Sequence, residues 1–367
     1  MLMNIKSNKI MNIILNKVNM IKKLKVFKDN KLMQKKLNIT LKDFKNYHYL
    51  IEMNKKFKLN IKDKNISTFE NTSSKKLGNS IYDYLIKIEF NELKVLNLGN
   101  EKISYINSLE KMNLEKLEKL FLNDNKISDI SILEKINLKE LKTLDLSNNK
   151  IININVLEKV NFDKLEVLML KEINLSDISI IEKFNFKNLK ELDLYTNNIS
   201  NINSLENISF EKLEFLSLKS NNITDINVFE KVNFKELKVL DLSHNKISDI
   251  EVFEKVNFTE LRKLDLSHNQ ITDINILENV KFEKLKYLFL EDAGNIDINI
   301  FEKVNFPELM ELNLCNNNLS DISVFEKVKF EKLTFLDLRF NKIKKKKCSR
   351  LANNINYRKV LILYEIN

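Results

Sequence analysis

The chain has 367 residues, with three glycines, one proline and no tryptophan. So few glycines argue against a glycine-rich phosphate-binding loop. They also require another residue to make the turns, and asparagine, which tolerates left-handed backbone conformations, is the expected substitute. The two cysteines, Cys315 and Cys348, are too few for a disulfide framework and favour a reducing compartment.

The net charge of +10 is distributed unevenly along the chain. Residues 1–76 carry a net charge of +14, residues 77–341 one of −11, and residues 342–367 one of +7. The basic ends contain few arginines and no alternation of aromatic and basic residues of the kind that stacks nucleic-acid bases. We therefore interpret them as solvated charge and expect no nucleic-acid partner, with binding of nucleic acid through these ends as an alternative.

Residues 1–76 form a basic segment that we interpret as a helical cap or an arm. Apolar residues such as Ile10, Ile14 and Val18 are dense enough to favour some helix. No apolar run in this segment reaches the about 7 to 15 residues of a secretory signal core or the ~20 residues of a membrane span. We therefore expect no membrane span and a cytoplasmic location, with nuclear and secreted locations left open.

A 24-residue repeat occupies residues 93–356, and residues 77–92 are predicted to be a half-repeat cap that precedes it. The consensus is LxxLxLxxNxISDIxxFEKVNFxx, and positions are numbered from its first leucine. The stretch LxxLxL predicts a short strand, and the second half of the repeat predicts a short helix. One such repeat has too little core to fold alone, so we expect the copies to stack into an array. Eleven copies begin at equal intervals, at Leu93, Leu117, Leu141, Leu165, Leu189, Leu213, Leu237, Leu261, Leu285, Leu309 and Leu333.

The start of each helix carries a pattern typical of a capping box. Position 15 is usually Ser or Asn and position 18 is Glu, as in Ser131 and Glu134. In a capping box, each of these side chains satisfies a free backbone N–H group near the other. Glu251 replaces the polar residue in one repeat, which predicts a weaker cap there.

Asparagine follows the strand, at position nine, in eight of the eleven repeats. We expect these side chains to hydrogen-bond the turn backbones of neighbouring repeats as a structural ladder. The ladder residues are Asn125, Asn149, Asn197, Asn221, Asn245, Asn269, Asn317 and Asn341. Glu101, Ile173 and Ala293 take this place in the other repeats, which predicts altered turns in the fourth and ninth repeats. These two departures are either drift in a redundant array or features that shape the ends of a partner site across repeats five to eight.

Positions three and five of each strand are expected to point away from the core, because side chains alternate along a strand. They include a file of aspartates that suits a positively charged partner, and large apolar groups of the kind that anchor interfaces. Alternatively, side chains on neighbouring strands half-cover the aromatic groups. The predicted partner-binding residues are Phe121, Asp145, Met169, Asp193, Phe215, Asp241, Asp265, Tyr287, Phe289, Phe335 and Asp337.

Two histidines, His244 and His268, occupy the same place in adjacent repeats, each three residues after an aspartate. Stacked strands bring equivalent residues within about 5 Å, so the pair is a minor candidate for a metal site. No nucleophile with a paired base is evident in the sequence. We therefore expect no enzymatic activity, no cofactor and no small-molecule substrate.

The end of the chain, residues 357–367, is predicted to be a C-terminal capping strand. The stretch YRKVLI places Val360 and Ile362 at the inward positions of a twelfth strand that begins at Tyr357, in the same 24-residue register. The stretch SRLANNI before it suggests a divergent helix.

The LxxLxLxxNxI cores, such as LKVLDLSHNKI from Leu237 to Ile247, resemble the leucine-rich repeat family. With the following SDI or TDI, they are similar to its short-repeat branch, which includes the leucine-rich regulatory subunit of protein phosphatase 1 and the internalins. The resemblance covers residues 81–364. It implies an α/β solenoid, an arc with a parallel β-sheet on the concave face and short helices on the convex face.

The sequence therefore predicts a non-enzymatic scaffold that binds an unidentified partner protein on its concave sheet. Three alternatives stay open. The resemblance suggests a phosphatase-regulatory subunit or a secreted or surface adhesin of the internalin type, and the basic ends suggest nucleic-acid binding.

Overall fold

A computed structural model describes residues 93–112, 114–208, 210–328, 330–352 and 361–364. The predicted basic segment 1–76 and half-repeat cap 77–92 lie outside these residues. The chain divides into two compact units. The first unit contains Met1–Asn97 and Asn107–Leu117, and the second contains Leu98–Ile106 and Glu118–Asn367.

The described part of the first unit contains strand β1, Val95–Asn97, and a 3₁₀ helix, Asn107–Lys111. Leu96 and Leu109, one from each element, are fully buried. The backbone N–H of Leu117 donates a hydrogen bond of 2.9 Å to the carbonyl of Leu114, which closes a tight turn before the second unit resumes.

The second unit is built on a sheet of eleven parallel strands, each of three residues. Each strand pairs with the next one in the sequence, so the strand order follows the chain. The predicted solenoid with a parallel sheet is confirmed. The strands are β2 Lys119–Phe121, β3 Thr143–Asp145, β4 Val167–Met169, β5 Glu191–Asp193, β6 Phe215–Ser217, β7 Val239–Asp241, β8 Lys263–Asp265, β9 Tyr287–Phe289, β10 Glu311–Asn313, β11 Phe335–Asp337 and β12 Leu361–Leu363.

The register of the sheet follows the 24-residue period up to β11, as in the pairing of Leu240 with Leu264. The last pairing departs from it, because Phe335 on β11 lies opposite Leu361 on β12, a separation of 26 residues. The twelfth strand therefore lies two residues later than the sequence predicts. The helix before it has eight residues, Lys345–Ala352, where most other repeats have four or five, and the longer helix requires a longer coil.

Short helices lie on the opposite side of the core from the sheet, and most are 3₁₀ helices. Those of the second unit are Ser131–Glu134, Ser179–Lys183, Asn203–Asn207, Asn227–Glu230, Glu251–Glu254, Asn275–Glu278 and Ile298–Glu302. Three α-helices complete the set, α1 Val156–Lys159, α2 Val324–Lys327 and α3 Lys345–Ala352. A segment of four or five residues favours the 3₁₀ form, whose hydrogen bonds close over three residues rather than four.

The predicted capping box is wrong. In the second unit, the side chain that caps each short helix before α3 belongs to Asp or Asn at position 13, which accepts a hydrogen bond from the backbone N–H of position 15. For example, Asp225 accepts from Asn227 at 2.8 Å, and Asp249 accepts from Glu251 at 2.8 Å. This bond lowers the pKa of Asp129 and of Asp177. Because the cap uses the backbone N–H of position 15, it also forms at Glu251, which has no polar side chain of the Ser or Asn type.

The core of the second unit is a continuous layer between the sheet and the helices. The leucines at strand positions four and six are buried, as are the apolar residues at helix positions 14 and 17. Phenylalanines at positions 17 and 22 form contacts between consecutive repeats, such as Phe229 with Phe258 at 5.9 Å between ring centroids and Phe253 with Phe282 at the same distance. Each repeat therefore buries apolar surface against its neighbours.

The eight asparagines at position nine are all buried and connect consecutive repeats. Asn245 is representative. Its Nδ2 donates to the carbonyl oxygens of Leu218 in the preceding repeat and Leu242 in its own, both at 3.0 Å. Its Oδ1 accepts from the backbone N–H of Ile223 at 3.0 Å. One amide side chain thus bonds three backbone groups. Each carbonyl also accepts from the asparagine of an adjacent repeat, so the ladder is continuous, whereas the N–H of Ile223 depends on Asn245.

The left-handed residue of each turn stands at position eight, immediately before the ladder asparagine. Asparagine is therefore not the general glycine substitute that the composition suggests, because this position accepts several residue types. The residues with positive φ at this position are Asn100, Asp124, Asn148, Glu172, Thr196, Ser220, His244, His268, Asp292, Asn316 and Phe340.

The turn of the ninth repeat is altered where Ala293 replaces the ladder asparagine. The backbone carbonyl of Ala293 accepts the N–H of Ile271 at 2.7 Å, the group that an asparagine Oδ1 receives in regular repeats. This arrangement depends on Gly294, whose φ is +141°. A Cβ on that residue would lie 2.2 Å from the carbonyl oxygen of Ile271. The fourth repeat takes a second positive φ at Asn174, after Ile173, but so does the tenth at Asn318, which follows a ladder asparagine.

Charged side chains on the surface of the second unit form files of ion pairs between consecutive repeats. At position two, Glu and Lys alternate from Glu118 to Lys238, as in Glu214 and Lys238, whose charged atoms are 2.7 Å apart. A second file joins Glu at position 18 to Lys at position 19 of the next repeat, as in Glu206 and Lys231 at 2.9 Å. Each exposed pair contributes about 0 to 1 kcal/mol to stability, so these files support the stack without dominating it.

We predict that Asn245→Ala lowers the free energy of unfolding by about 1 to 3 kcal/mol, because it leaves the buried N–H of Ile223 without its acceptor and removes one of the two asparagine donors from each of two buried carbonyls. Urea unfolding followed by circular dichroism measures the loss. The matched control is Lys246→Ala, an exposed neighbour in the same turn, which should change stability by less than about 0.5 kcal/mol. Equal effects of the two substitutions would contradict the ladder.

We predict that Gly294→Ala destabilises the protein by about 2 to 4 kcal/mol, because the new Cβ meets backbone atoms of Ile271 and the positive φ is strained. Gly99→Ala is the control, since its Cβ would meet only the side chain of Asn123, which can rotate away. Urea unfolding measures both variants. A Gly294→Ala protein with the stability of the wild type would contradict the claim that the Ala293 carbonyl replaces the asparagine side chain only because residue 294 is glycine.

Candidate partner-binding face

The sheet face consists of the side chains at positions three and five of strands β2 to β12. On it, large apolar groups remain partly exposed, whereas the phenylalanines of the core are buried. Nothing in the fold of the second unit requires aromatic groups here, because the core lies on the other side of the sheet. The partly exposed apolar residues on strands β2 to β11 are Phe121, Val167, Met169, Phe215, Val239, Tyr287, Phe289 and Phe335.

The aspartates of the sheet face are less available than the sequence predicts. Asp145, Asp265 and Asp337 are at most 8% exposed, and Asp193 and Asp241 are half-buried. All five accept a hydrogen bond from the backbone N–H two residues later, at 3.0 to 3.1 Å. Their shared role is to close the turn at the end of each strand. The Asp-x-Ser spacing at Asp145, Asp241 and Asp265 is typical of this role, which the sequence analysis did not predict.

Cations balance much of this charge. Asp193 pairs with Lys171 at 2.8 Å, and Asp337 receives a bidentate pair of bonds from Arg339. Asp265 lies 3.9 Å from Lys263, and burial, followed by the nearby Asp241, raises the pKa of Asp265. The predicted file of free negative charge is therefore largely neutralised or tied to the backbone.

The aromatic groups of the sheet face are concentrated on strands β9 and β11. Tyr287 and Phe289 lie on β9, and Phe335 lies on β11. The ammonium of Lys263 lies 4.7 Å from the ring centroid of Phe289, a cation–π contact. Phe215 on β6 and Phe121 on β2 stand apart from this group, so the structure brings together three of the five predicted aromatic contacts.

The two histidines stack on each other in the turns after β7 and β8. The ring centroids of His244 and His268 are 4.1 Å apart and the rings are nearly parallel. Burial, followed by the charge of His268, lowers the pKa of His244. His268 Nδ1 lies 3.4 Å from a carboxylate oxygen of Asp292. Over the described ranges, no group of three or more His, Cys, Asp and Glu side chains is arranged to hold a metal ion.

Both cysteines are buried free thiols. Burial raises the pKa of Cys315 to about 11, and it also raises the pKa of Cys348. Because the thiolate is the nucleophilic form, neither residue is suited to nucleophilic chemistry at neutral pH.

We predict that neither thiol of the folded protein reacts with iodoacetamide at pH 8 on a timescale of minutes, since both are protonated and shielded. Intact-mass analysis measures the labelling, and the same protein in guanidinium chloride, where both thiols should react, is the control. Rapid labelling of Cys315 in the native protein would contradict its burial.

Within the described ranges, the model contains no helix with the length and apolar character needed to cross a bilayer.

Comparison with known proteins places the repeats in a recognised class. A family model described as Leucine Rich repeats (2 copies) matches residues 115–159, 211–255 and 259–303. No curated protein sequence matches the chain. Among solved structures, the internalin InlF of Listeria monocytogenes is similar, with 27% sequence identity and a TM-score of 0.58. The match covers 78% of this chain and 84% of the internalin.

Two other solved structures share the fold at lower identity. A leucine-rich repeat protein of Leptospira interrogans is 24% identical, with a TM-score of 0.51, over 76% of this chain and 62% of that one. The plant peptide hormone receptor RGFR1, solved in complex with RGF2, is 19% identical, with a TM-score of 0.51, over 77% of this chain and 44% of the receptor. These two likenesses concern the fold alone.

Proposed function

Because the chain is a leucine-rich repeat protein that resembles internalins, we propose that it is a non-enzymatic scaffold that binds a partner protein on its sheet face. The fold is a common scaffold for protein–protein interactions, since stacked repeats create an extended binding surface. The proposal includes a cytoplasmic location, which agrees with the two free thiols.

The observation that carries the proposal is the set of partly exposed aromatic side chains on the sheet face. Phe215, Tyr287, Phe289 and Phe335 point away from the core and remain accessible. Aromatic side chains supply much of the binding energy at protein interfaces, where a partner desolvates them. These rings remain partly in contact with water in the folded chain, so a partner that covers them would gain the free energy of burying them.

The dimensions of the sheet face suit a protein rather than a metabolite. Eleven strands at a spacing of ~4.8 Å extend over about 50 Å. A surface of this length matches the contact patch of a protein domain, which typically buries about 800 Å² on each partner.

The three alternative functions have less support. The phosphatase-regulatory and adhesin alternatives rest on family likeness, which indicates fold more strongly than role. The nucleic-acid alternative rests on the basic ends, and the larger of these, residues 1–76, lies outside the described residues.

We predict that a variant with Phe215→Ala, Tyr287→Ala and Phe289→Ala loses at least about tenfold in affinity for the partner that wild-type protein captures from its native cells, because three anchors are removed. Partners are identified by mass spectrometry, and their affinity is then measured with purified components. Ile152→Ala, which removes an exposed apolar side chain away from the sheet face, is the control and should retain binding. Equal affinity of the triple variant and the wild type would refute the proposed face.

A further inference from the structure

We propose that the sheet face contains a cation slot, formed by Glu311 between Tyr287 and Phe335, that receives an arginine side chain of the bound partner. The inference rests on the proposed function and adds to it the chemistry of the contact.

The geometry of the slot follows from the register of the sheet. Glu311 on β10 lies directly opposite Tyr287 on β9 and opposite Phe335 on β11, all at position three. The two aromatic residues therefore flank the carboxylate, each one strand spacing of ~4.8 Å away. A cation held by the Glu311 carboxylate would therefore have an aromatic residue on either side, and a cation–π contact forms when the cation is within ~6 Å of a ring centroid.

Glu311 differs from the other acidic groups on this part of the sheet face. Asp337 is paired with Arg339, and Glu291 lies 3.1 Å from the amide of Asn313. Over the described ranges, the carboxylate of Glu311 has neither a hydrogen-bond nor an ion-pair partner. Partial burial raises the pKa of Glu311 more than the nearby charge of Lys263 lowers it, so the lost hydration of the charged form is compensated only in part. An incoming cation would supply that compensation.

The aromatic faces beside Glu311 are also available. Phe289, on the same strand as Tyr287, already holds the ammonium of Lys263 at 4.7 Å, which demonstrates that a cation is accommodated against an aromatic ring on this surface. No such cation lies over Tyr287 or Phe335 within the part of the chain that the structure describes. Lys263 lies two strands from Glu311, on β8; its charge favours the ionised carboxylate, but the two residues form no ion pair.

Arginine fits this arrangement better than the other cations that a protein presents. Its planar guanidinium stacks on aromatic faces and donates paired hydrogen bonds to a carboxylate. The slot offers one carboxylate and two rings on an open sheet, which is too few oxygen or nitrogen ligands for a metal ion. The partner is therefore expected to present an exposed arginine to repeats nine to eleven.

The test titrates the full-length protein with N-acetyl-arginine amide and observes the ring resonances of labelled tyrosine and phenylalanine by NMR. We expect saturable shifts at Tyr287 and Phe335. N-acetyl-citrulline amide, which has nearly the same shape but no charge, should bind at least about fivefold more weakly. Glu311→Gln should weaken binding of the arginine probe by a similar factor.

The matched control is Glu191→Gln. Glu191 is also an acidic residue at position three, but it lies between Val167 and Phe215 and so lacks the second ring. This variant should retain the affinity of the wild type within about twofold. Thermal unfolding of both variants, with midpoints close to that of the wild type, establishes that any loss of binding is local.

Equal binding of the arginine and citrulline probes, or equal losses in Glu311→Gln and Glu191→Gln, would overturn the slot. These outcomes are distinct from failure of the proposed function. A captured partner that needs Phe215, Tyr287 and Phe289 but binds Glu311→Gln as well as the wild type would overturn the slot and leave the binding face intact. A captured partner that binds the triple alanine variant as tightly as the wild type would instead refute the face.

Discussion

The structure of the second unit depends on the hydrogen bonds that one repeat makes to the next through the asparagine at position nine. A turn that must close in a few residues leaves backbone N–H and carbonyl groups inside the stack, where water does not reach them. The buried amide of Asn221, for example, accepts from the N–H of Ile199 and donates to the carbonyls of Leu194 and Leu218. Satisfying these groups lets the leucine layers lie in contact without a buried polar penalty.

This constraint also explains why the sheet face is available for binding. Because the ladder and the leucines hold each strand in the same register, the side chains at positions three and five are repeated along one surface. The residues there are free to vary, apart from the aspartates that close the turns, so the surface carries aromatic and charged groups that differ between repeats. Stability is thus provided on one side of the sheet, and the other side carries the surface proposed for recognition.

Much of the fold follows from the sequence because its periodicity reports directly on geometry. The leucines, the strand register and the positions of the ladder asparagines can be read from the 24-residue spacing. The caps were missed because Ser131 and Glu134 fit a familiar α-helix pattern, whereas Asp129 is the residue that accepts the N–H of Ser131. The Asp-x-Ser spacing carried that information, but only the 3₁₀ geometry shows which pattern operates.

Other features depend on contacts between residues that are distant in sequence. The replacement of an asparagine side chain by the carbonyl of Ala293 depends on the backbone angle of Gly294. The lack of an ion-pair partner for Glu311 depends on what the neighbouring strands place beside it. A sequence pattern gives the location of such residues but not which atoms they contact.

Binding on the sheet face requires that its aromatic side chains point away from the core. Hydroxyl-radical footprinting with mass spectrometry measures this orientation directly, because it oxidises aromatic side chains according to their exposure to solvent. We predict that Phe215, Tyr287, Phe289 and Phe335 are oxidised in the native protein, while Phe229, Phe253 and Phe301 of the core are protected. Equal protection of both groups would show that the sheet face is closed and would contradict the binding proposal at its foundation.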